Sequence, residues 1–167
     1  RKVDGAEIQE IKICPVKAQG RKSVAVFKNE DMKGRAYSFF FEGGIVSYVK
    51  HLNRSEQIRH GNIFYVDKEA EGIQVEVAFQ YTNDMQGYEI GFANNIHTPE
   101  GGMHVTGFRS ALTRSLNDYA RRNNFLKNSD ENLSGDDVRE GITSIISVKM
   151  REPQFEGQTK AKLGNPE

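Results

Sequence analysis

The chain has 167 residues, and its 23 lysines and arginines balance its 23 aspartates and glutamates. This length suffices for one domain with a real core, and the zero net charge excludes an overall field that would recruit nucleic acid or membrane. Cys14 is the only cysteine, which excludes an internal disulfide and fits a reducing, cytoplasmic compartment. Because no apolar run is long enough to cross a bilayer, no membrane partner is expected.

The first third of the chain predicts short strands and one short helix. Residues 8–13 and 23–27 are strand candidates, and residues 37–41 form an aromatic run with strong β preference. Apolar residues at helical spacing then predict a short helix over residues 45–52. Residues 1–35 form an N-terminal strand segment whose placement the sequence leaves open.

The middle of the chain predicts a hairpin. Residues 63–66 are a strand candidate, followed by a charged turn over residues 67–72. Apolar and polar residues alternate over residues 73–81, which predicts a strand with one buried face and one wet or partner-facing face. A further strand begins at Tyr88, and we expect it to pair with the preceding strand as a hairpin.

A long helix ending at Arg122 organises the rest of the chain. Its apolar positions share one helical face: Val105, Phe108, Leu112, Leu116 and Tyr119. The helix begins between Pro99 and His104, with the Thr98 hydroxyl available as a cap. Arg114 and Arg121 are expected to point away from the core.

The C-terminal third completes an α+β sandwich. Ser134 and the acids after it predict a capped helical turn, and residues 142–150 read as a β-branched strand. Residues 153–167 have few core-forming side chains. These elements predict a two-layer fold, mostly β-sheet, covered on one face by a long helix and a short helix. The start at Arg1 without methionine and the polar end at Glu167 indicate a piece of a longer protein.

The sequence contains few residue patterns that are typical of a catalytic or metal-binding site. The four histidines have no metal-type spacing, so we expect no metal site, and no phosphate-cradling GxxxxGK[ST] pattern is present. Asp136 and Asp137 either hold a cation or cap a helix, the cheaper explanation. Residues 100–102, Glu-Gly-Gly, form either an anion-binding nest or, more simply, a tight turn. Arg109 lies at the flank of the apolar face, as a packing residue or a ligand contact.

Ordered segments across residues 37–167 together resemble the family of the DNA gyrase B protein and the topoisomerase IV ATPase protein. The segments, specific only in combination, include FEGGI (41–45), VKHLN (49–53), FANNIHT (92–98), EGGMH (100–104), GFR (107–109), GDDVREG (135–141) and PQFEGQTK (153–160). The match covers the second, transducer domain of such proteins. It implies a ribosomal-S5-domain-2-like fold with a left-handed βαβ crossover. Met103 departs from the threonine common in the family, and the first 35 residues lack its usual entry segment.

The resemblance also implies residue roles. In such enzymes the glutamine and lysine of the Gln-Thr-Lys motif, here Gln158 and Lys160, reach the γ-phosphate of ATP in the neighbouring domain. Arg109 matches an arginine turned toward the cavity through which double-stranded DNA passes. The resemblance further implies ATP and Mg²⁺ in the full-length enzyme, a gyrase A-type partner subunit, and a homodimer of the ATPase region when ATP is bound. We expect the fragment alone to bind neither ATP nor metal and to be inactive.

The expected organisation is therefore an N-terminal segment (1–35), a transducer core (36–152) and a C-terminal loop carrying Gln-Thr-Lys (153–167). Two alternatives stay open. One is a non-catalytic nucleic-acid-binding S5-like module, against which the neutral charge weighs. The other is the middle domain of another two-domain ATPase, such as a mismatch-repair or chaperone relative. The sequence does not distinguish a gyrase from a topoisomerase IV.

Overall fold

The computed structural model describes residues 43–166 in full and, before them, the backbone of five short strands. The strands and helices in chain order are β1 (Lys2–Val3), β2 (Ala6–Glu7), β3 (Glu10–Pro15), β4 (Lys22–Lys28), β5 (Tyr37–Glu42), α1 (Gly44–Leu52), β6 (Phe64–Ala70), β7 (Ile73–Tyr81), β8 (Tyr88–Ala93), β9 (Ile96–His97), α2 (Met103–Arg122), α3 (Gly135–Arg139), β10 (Ile142–Lys149), β11 (Phe155–Glu156) and β12 (Lys162–Leu163). The α+β fold class is confirmed. No helix of the described residues is long and apolar enough to cross a membrane.

One eight-stranded sheet has the order β5-β4-β3-β9-β8-β10-β7-β6. Strands β3 and β4 pair antiparallel, so part of the N-terminal segment belongs to this sheet. Its two strand candidates, residues 8–13 and 23–27, overlap β3 and β4. The side chains of residues 1–42 lie outside the described part of the chain.

The hairpin predicted between β7 and β8 is wrong. Strand β10 lies between them, antiparallel to β7 and parallel to β8. The seven residues from 142 to 148 are buried without interruption, so this β-branched strand takes an interior position in the sheet, where it is covered on both faces. The connection from β8 to the parallel β10 passes through α2 and α3. The handedness of this crossover stays a prediction.

Helices cover both faces of the central strands, which corrects the expectation of helices on one face only. Helix α1 packs on one face, against Ala78, Phe92 and Ile145. Helices α2 and α3 pack on the other, in a cluster that contains Phe79 and Ile142. Because neighbouring strand residues point to opposite faces, the supposedly wet side of β7 is the side that α1 covers.

The strand β6 is longer than predicted. It runs through most of the expected charged turn, which shrinks to Glu71 and Gly72. Both residues have positive φ, 52° and 77°. Two such residues form the tight turn that suits a β-hairpin, so β6 pairs directly with β7.

Helix α2 begins at Met103, after two glycines, and ends at Arg122 as predicted. Thr98 does not cap it; the N-cap residue is Gly102, which makes no side-chain cap bond. The core face is also slightly rotated from the prediction. Val105 and Leu112 are buried, but Tyr119 is 58% exposed, and Asn117 and Ala120 are buried instead. At the C-terminal end the packed face therefore turns away from Tyr119.

Candidate functional site

The Gln-Thr-Lys segment forms the tip of a small hairpin. Strands β11 and β12 pair antiparallel, and the turn between them contains Gln158 and Lys160. Both residues are exposed. Gly157 and Lys160 have positive φ values of 75° and 54°, which reverse the chain within a few residues. What the sequence predicted as a loop is thus a short structured projection.

The base of the hairpin is anchored, although the sequence offered little sign of it. Leu163 is 1% exposed and packs in a cluster with Ala93 and Val148 of the central strands. The side chain of Asn165 is buried; its Oδ1 accepts from the Gln154 amide at 2.6 Å and its Nδ2 donates to the Glu152 carbonyl at 3.1 Å. A buried amide with both ends satisfied holds the two arms of the tail together.

Residues 100–102 join this hairpin to the start of α2. The Glu100 amide donates to the Ala161 carbonyl at 3.0 Å, and the Leu163 amide donates to the Gly101 carbonyl at 3.1 Å. A Cβ atom on Gly102 would lie 2.4 Å from the Leu163 carbonyl oxygen and 2.6 Å from its nitrogen. Glycine is therefore required by close backbone approach, as the simpler interpretation of Glu-Gly-Gly held. We call residues 100–102 with 161–163 the joint.

The joint uses backbone groups that an anion nest would need. Besides the Glu100 amide, the Gly101 amide is bonded, donating to the Thr98 carbonyl at 2.9 Å. Two amides already satisfied within the chain are not free to bind a ligand. The joint is thus a structural connection between the hairpin and α2.

Lys160 presents an uncompensated charge. Its Nζ lies 5.9 Å from the centroid of the Phe155 ring, a distance at which cation–π attraction is weak. No salt bridge to Lys160 occurs among residues 43–166, whereas Lys162 on the same hairpin pairs with Glu156 at 3.0 Å. The lysine at the tip is therefore available to an anion outside this chain.

Arg109 lies on α2 and is held by a carboxylate of β8. Its Nε donates to Glu89 Oε2 at 2.8 Å, and its Nη2 donates to the same oxygen. The Arg109 side chain is 44% exposed, whereas that of Glu89 is 13% exposed. The hydrogen bonds to Glu89 raise the pKa of Arg109 above its ordinary value. The guanidinium head is thus held by a carboxylate while part of the side chain reaches solvent.

A groove of about 520 Å³ beside α2 brings two further arginines near Arg109. Arg139 is paired with Asp136 at 2.5 Å. Arg114 makes no ion pair among the described side chains and is exposed. Arg109 and Arg114 line this groove because they lie on the same helix, whereas Arg139 reaches it only because α3 packs against α2.

Two polar residues of α2 have structural roles that the sequence did not reveal. Arg121 was expected to point away, but it donates to the carbonyls of Lys127 and Asp130 and to the Asn132 side chain. Asn117 exchanges two hydrogen bonds with the backbone of Leu133, at 2.8 and 3.0 Å. Together they order the irregular loop between α2 and α3. Their helical positions gave no signal, because the partners are loop carbonyls and amides.

The acids after Ser134 cap α3. Asp137 accepts from the amide and the hydroxyl of Ser134, while the Ser134 hydroxyl accepts from the Asp137 amide at 3.1 Å. These bonds lower the pKa of Asp137. Since Asp136 is paired with Arg139, both carboxylates are engaged, and the capping explanation is confirmed over a cation site.

The histidines do not form a metal site within the described part of the chain, where no cluster of three or more His, Cys, Asp or Glu side chains is present. His104 is the second residue of α2, and its Nε2 shares a hydrogen bond with the Thr98 hydroxyl at 3.2 Å. Burial lowers its pKa to about 4 and also lowers that of His97. Both are neutral structural residues at neutral pH.

A family model described as DNA gyrase B matches residues 44–167. The chain belongs to the DNA gyrase B family. The DNA gyrase B protein of Bacillus mycoides is 60% identical over 129 residues, which are 77% of this chain and 32% of that protein. The gyrase B protein of Haloferax lucentense is 50% identical over 145 residues, 86% of this chain and 23% of that protein. The chain thus spans between a fifth and a third of the curated gyrase B relatives it matches.

Solved structures of the family share the fold. The 43K ATPase domain of Thermus thermophilus gyrase B, in complex with an aminocoumarin, matches with a TM-score of 0.70 at 35% identity, covering 84% of this chain and 37% of that one. The topoisomerase IV ATP-binding domain of Francisella tularensis matches with a TM-score of 0.62 at 26% identity, covering 81% and 36%. The predicted family is confirmed. The roles of Gln158, Lys160 and Arg109 stay predictions.

Proposed function

We propose that this chain is the transducer domain of a type IIA DNA topoisomerase, coupling ATP binding and hydrolysis in a neighbouring domain to DNA strand passage and supercoiling. One observation carries the proposal. An exposed glutamine and lysine project from a hairpin whose base is bonded, through the joint, to the helix that carries Arg109. The domain division at residues 36–152 and 153–167 is part of this proposal.

Lys160 and Gln158 fit a contact with the γ-phosphate of ATP. The ammonium is exposed and unpaired among the described residues, so it loses no internal ion pair when it meets a phosphate. Bound ATP with Mg²⁺ would supply the phosphoryl group for hydrolysis. Lys160 would neutralise charge developing on its oxygens, and the Gln158 amide would donate a hydrogen bond.

Coupling would follow the joint. Because the Ala161 carbonyl and the Leu163 amide are bonded to residues 100 and 101, a displacement of the hairpin pulls on the first turn of α2. A γ-phosphate contact that exists with ATP and is lost after phosphate release would shift the equilibrium between two positions of the hairpin and the α2 helix bonded to it. Helix α2 would transmit the bias to Arg109, six residues into its length.

DNA would be contacted through phosphates. Arg109 and Arg114 line the same groove, and two guanidinium groups on one helix suit a sequence-independent contact with double-stranded DNA. In the complete enzyme we propose a gyrase A-type partner subunit and a homodimer of the ATPase region when ATP is bound.

The ATP contact is tested by Lys160→Ala in the complete gyrase B-type protein. We expect hydrolysis to fall about 100-fold or more, the usual effect of removing a charge-stabilising donor. The melting temperature should not change, since the side chain is exposed. Lys149→Ala, which removes an exposed lysine from the end of β10, is the matched control. An unchanged rate in Lys160→Ala would remove this residue from the mechanism.

The DNA contact is tested by Arg109→Ala in the same complete protein, assembled with its partner. We expect DNA-stimulated hydrolysis and supercoiling to be lost while basal hydrolysis stays near normal, because the nucleotide contacts are intact. Arg122→Ala, an exposed arginine at the end of the same helix, should leave both rates unchanged. Equal loss of basal and stimulated hydrolysis would instead assign Arg109 a packing role.

A further inference from the structure

The carboxylate that pairs with Arg109 is largely buried. The Glu89 side chain is only 13% exposed. Its Oε2 accepts both Arg109 bonds, whereas its Oε1 is buried and has no hydrogen-bond partner in the described structure. A buried carboxylate depends strongly on the one cation that compensates it. Glu89 therefore holds Arg109 more firmly than an exposed pair would.

The pair also changes what Arg109 presents to solvent. Two of the five N–H donors of an arginine, those on Nε and Nη2, point to Glu89, and the carboxylate cancels the guanidinium charge locally. Arg109 borders both the 520 Å³ groove, which contains Arg114, and a second cavity of about 360 Å³ lined by Glu89 and Lys162. Arg109, which borders both cavities, is thus neutralised by a largely buried carboxylate.

We propose that Glu89 sets the affinity of the Arg109 surface for DNA, acting as the internal counterion with which a phosphate must compete. This inference rests on the proposed function, in which Arg109 meets DNA phosphate. Glu89 is a positioning residue, because it acts through Arg109. The pair lowers the charge that draws any polyanion and restricts firm binding to phosphates that reach the guanidinium donors left free.

If the Glu89–Arg109 ion pair only stabilised the packing of α2 on β8, a different result would be expected. Loss of the pair would lower the melting temperature and leave the salt dependence of DNA binding unchanged. The counterion role predicts a change in the salt dependence itself. Each phosphate neutralised by a protein cation contributes about −0.9 to the slope of log K against log salt concentration.

The experiment uses the complete gyrase B-type protein and a labelled linear DNA duplex of mixed sequence, with affinity measured by fluorescence anisotropy over a series of KCl concentrations. Glu89→Gln keeps the shape of the side chain and one acceptor for Arg109 but removes the charge. We expect several-fold tighter binding and a slope steeper by about one. Glu100→Gln removes a nearby exposed carboxylate that makes no ion pair in the described structure, and it should change both quantities less.

Two further variants separate the possible outcomes. Glu89→Met retains the volume without charge or amide and should change binding in the same direction, which covers the case in which Gln disturbs folding. Glu89→Gln combined with Arg109→Ala should bind like Arg109→Ala alone. Equal tightening in the Arg109→Ala background, or by Glu100→Gln, would overturn the counterion role.

The two proposals fail in different ways. If Arg109→Ala weakens DNA binding but neither Glu89 variant tightens it, the counterion inference is wrong and the DNA contact stands. If Arg109→Ala itself leaves DNA affinity and its salt slope unchanged, the proposed DNA contact is wrong, and the inference fails with it.

Discussion

His104, in the first turn of α2, is a polar side chain that is largely buried although only one of its two ring nitrogens has a hydrogen-bond partner in the described structure. Its Nε2 shares a hydrogen bond with Thr98, but Nδ1 is buried without a partner among the described residues. Gly91 of β8 lies directly against the ring, since a Cβ there would be 2.7 Å from Nε2. A proton added to this ring would place a charge in a buried site away from water, and this desolvation is the reason for the low pKa.

The pH dependence of stability follows from this burial. The His104 pKa is about 4 in the folded chain against 6.5 for the unperturbed group, so the unfolded state binds more protons between these values. This contribution to stability is complete above pH 6.5 and is lost as the pH falls toward 4. In thermal melts across that range we expect His104→Gln to have a flatter pH profile than wild type. The pKa of His97 is also lowered by burial, so His97 contributes to the pH dependence in the same direction. Parallel pH profiles for wild type and His104→Gln would contradict the role assigned to His104.

At the scale of elements, the start of α2 is fixed by its close contact with the backbone of the C-terminal hairpin. The helix begins where two glycines with φ of 72° and 137° bring its first turn against the Leu163 backbone. A side chain is excluded there by atoms that cannot rotate away. In the middle of the same helix, Gly107 has nothing within 4 Å of where its Cβ would be.

We therefore expect alanine substitution to have opposite effects on stability at Gly102 and at Gly107. Gly102→Ala should destabilise the chain by at least about 1–3 kcal/mol, the cost of a strained backbone position, with the clash against Leu163 adding to it. Gly107→Ala should stabilise it by about 0.5–1 kcal/mol, because alanine favours a helix interior. Urea denaturation of both variants measures the difference. Equal effects would show that the joint accommodates a side chain.

At the scale of the whole molecule, one face of the sheet carries both of the surfaces that the proposed mechanism needs on one body. The hairpin tip and the arginine groove are both attached to the face that carries α2, while α1 covers the opposite face. In the proposed mechanism the chain would supply only one lysine, Lys160, and one glutamine, Gln158, to a nucleotide site in a neighbouring domain. No cluster of metal-ligating side chains is present in its described part.

We therefore predict that the isolated chain does not hydrolyse ATP. A γ-phosphate contact alone provides neither a base nor a metal site. Purified chain should show phosphate release equal to a buffer blank and to Lys160→Ala in a sensitive phosphate assay. Turnover above the blank that Lys160→Ala abolishes would mean that these residues contain a complete active site.

Features that depend on residues close together in the sequence were predictable from it. The end of α2, the capping box of Ser134 and Asp137, and the β7 strand depend on residues within a few positions of each other. The family could also be identified, because several ordered motifs matched at once. The exposed projection of Lys160 agrees with the role that its motif implies, which stays a prediction.

Only the tertiary structure decided the arrangements that join distant segments. The insertion of β10 between β7 and β8, the placement of α1 opposite α2, and the ion pair between Glu89 and Arg109 unite residues about 20 to 100 positions apart. Periodicity states which face of an element is buried, but not which neighbour buries it. That choice is made by competition among all strands and helices for the same apolar surface, because burial is non-directional.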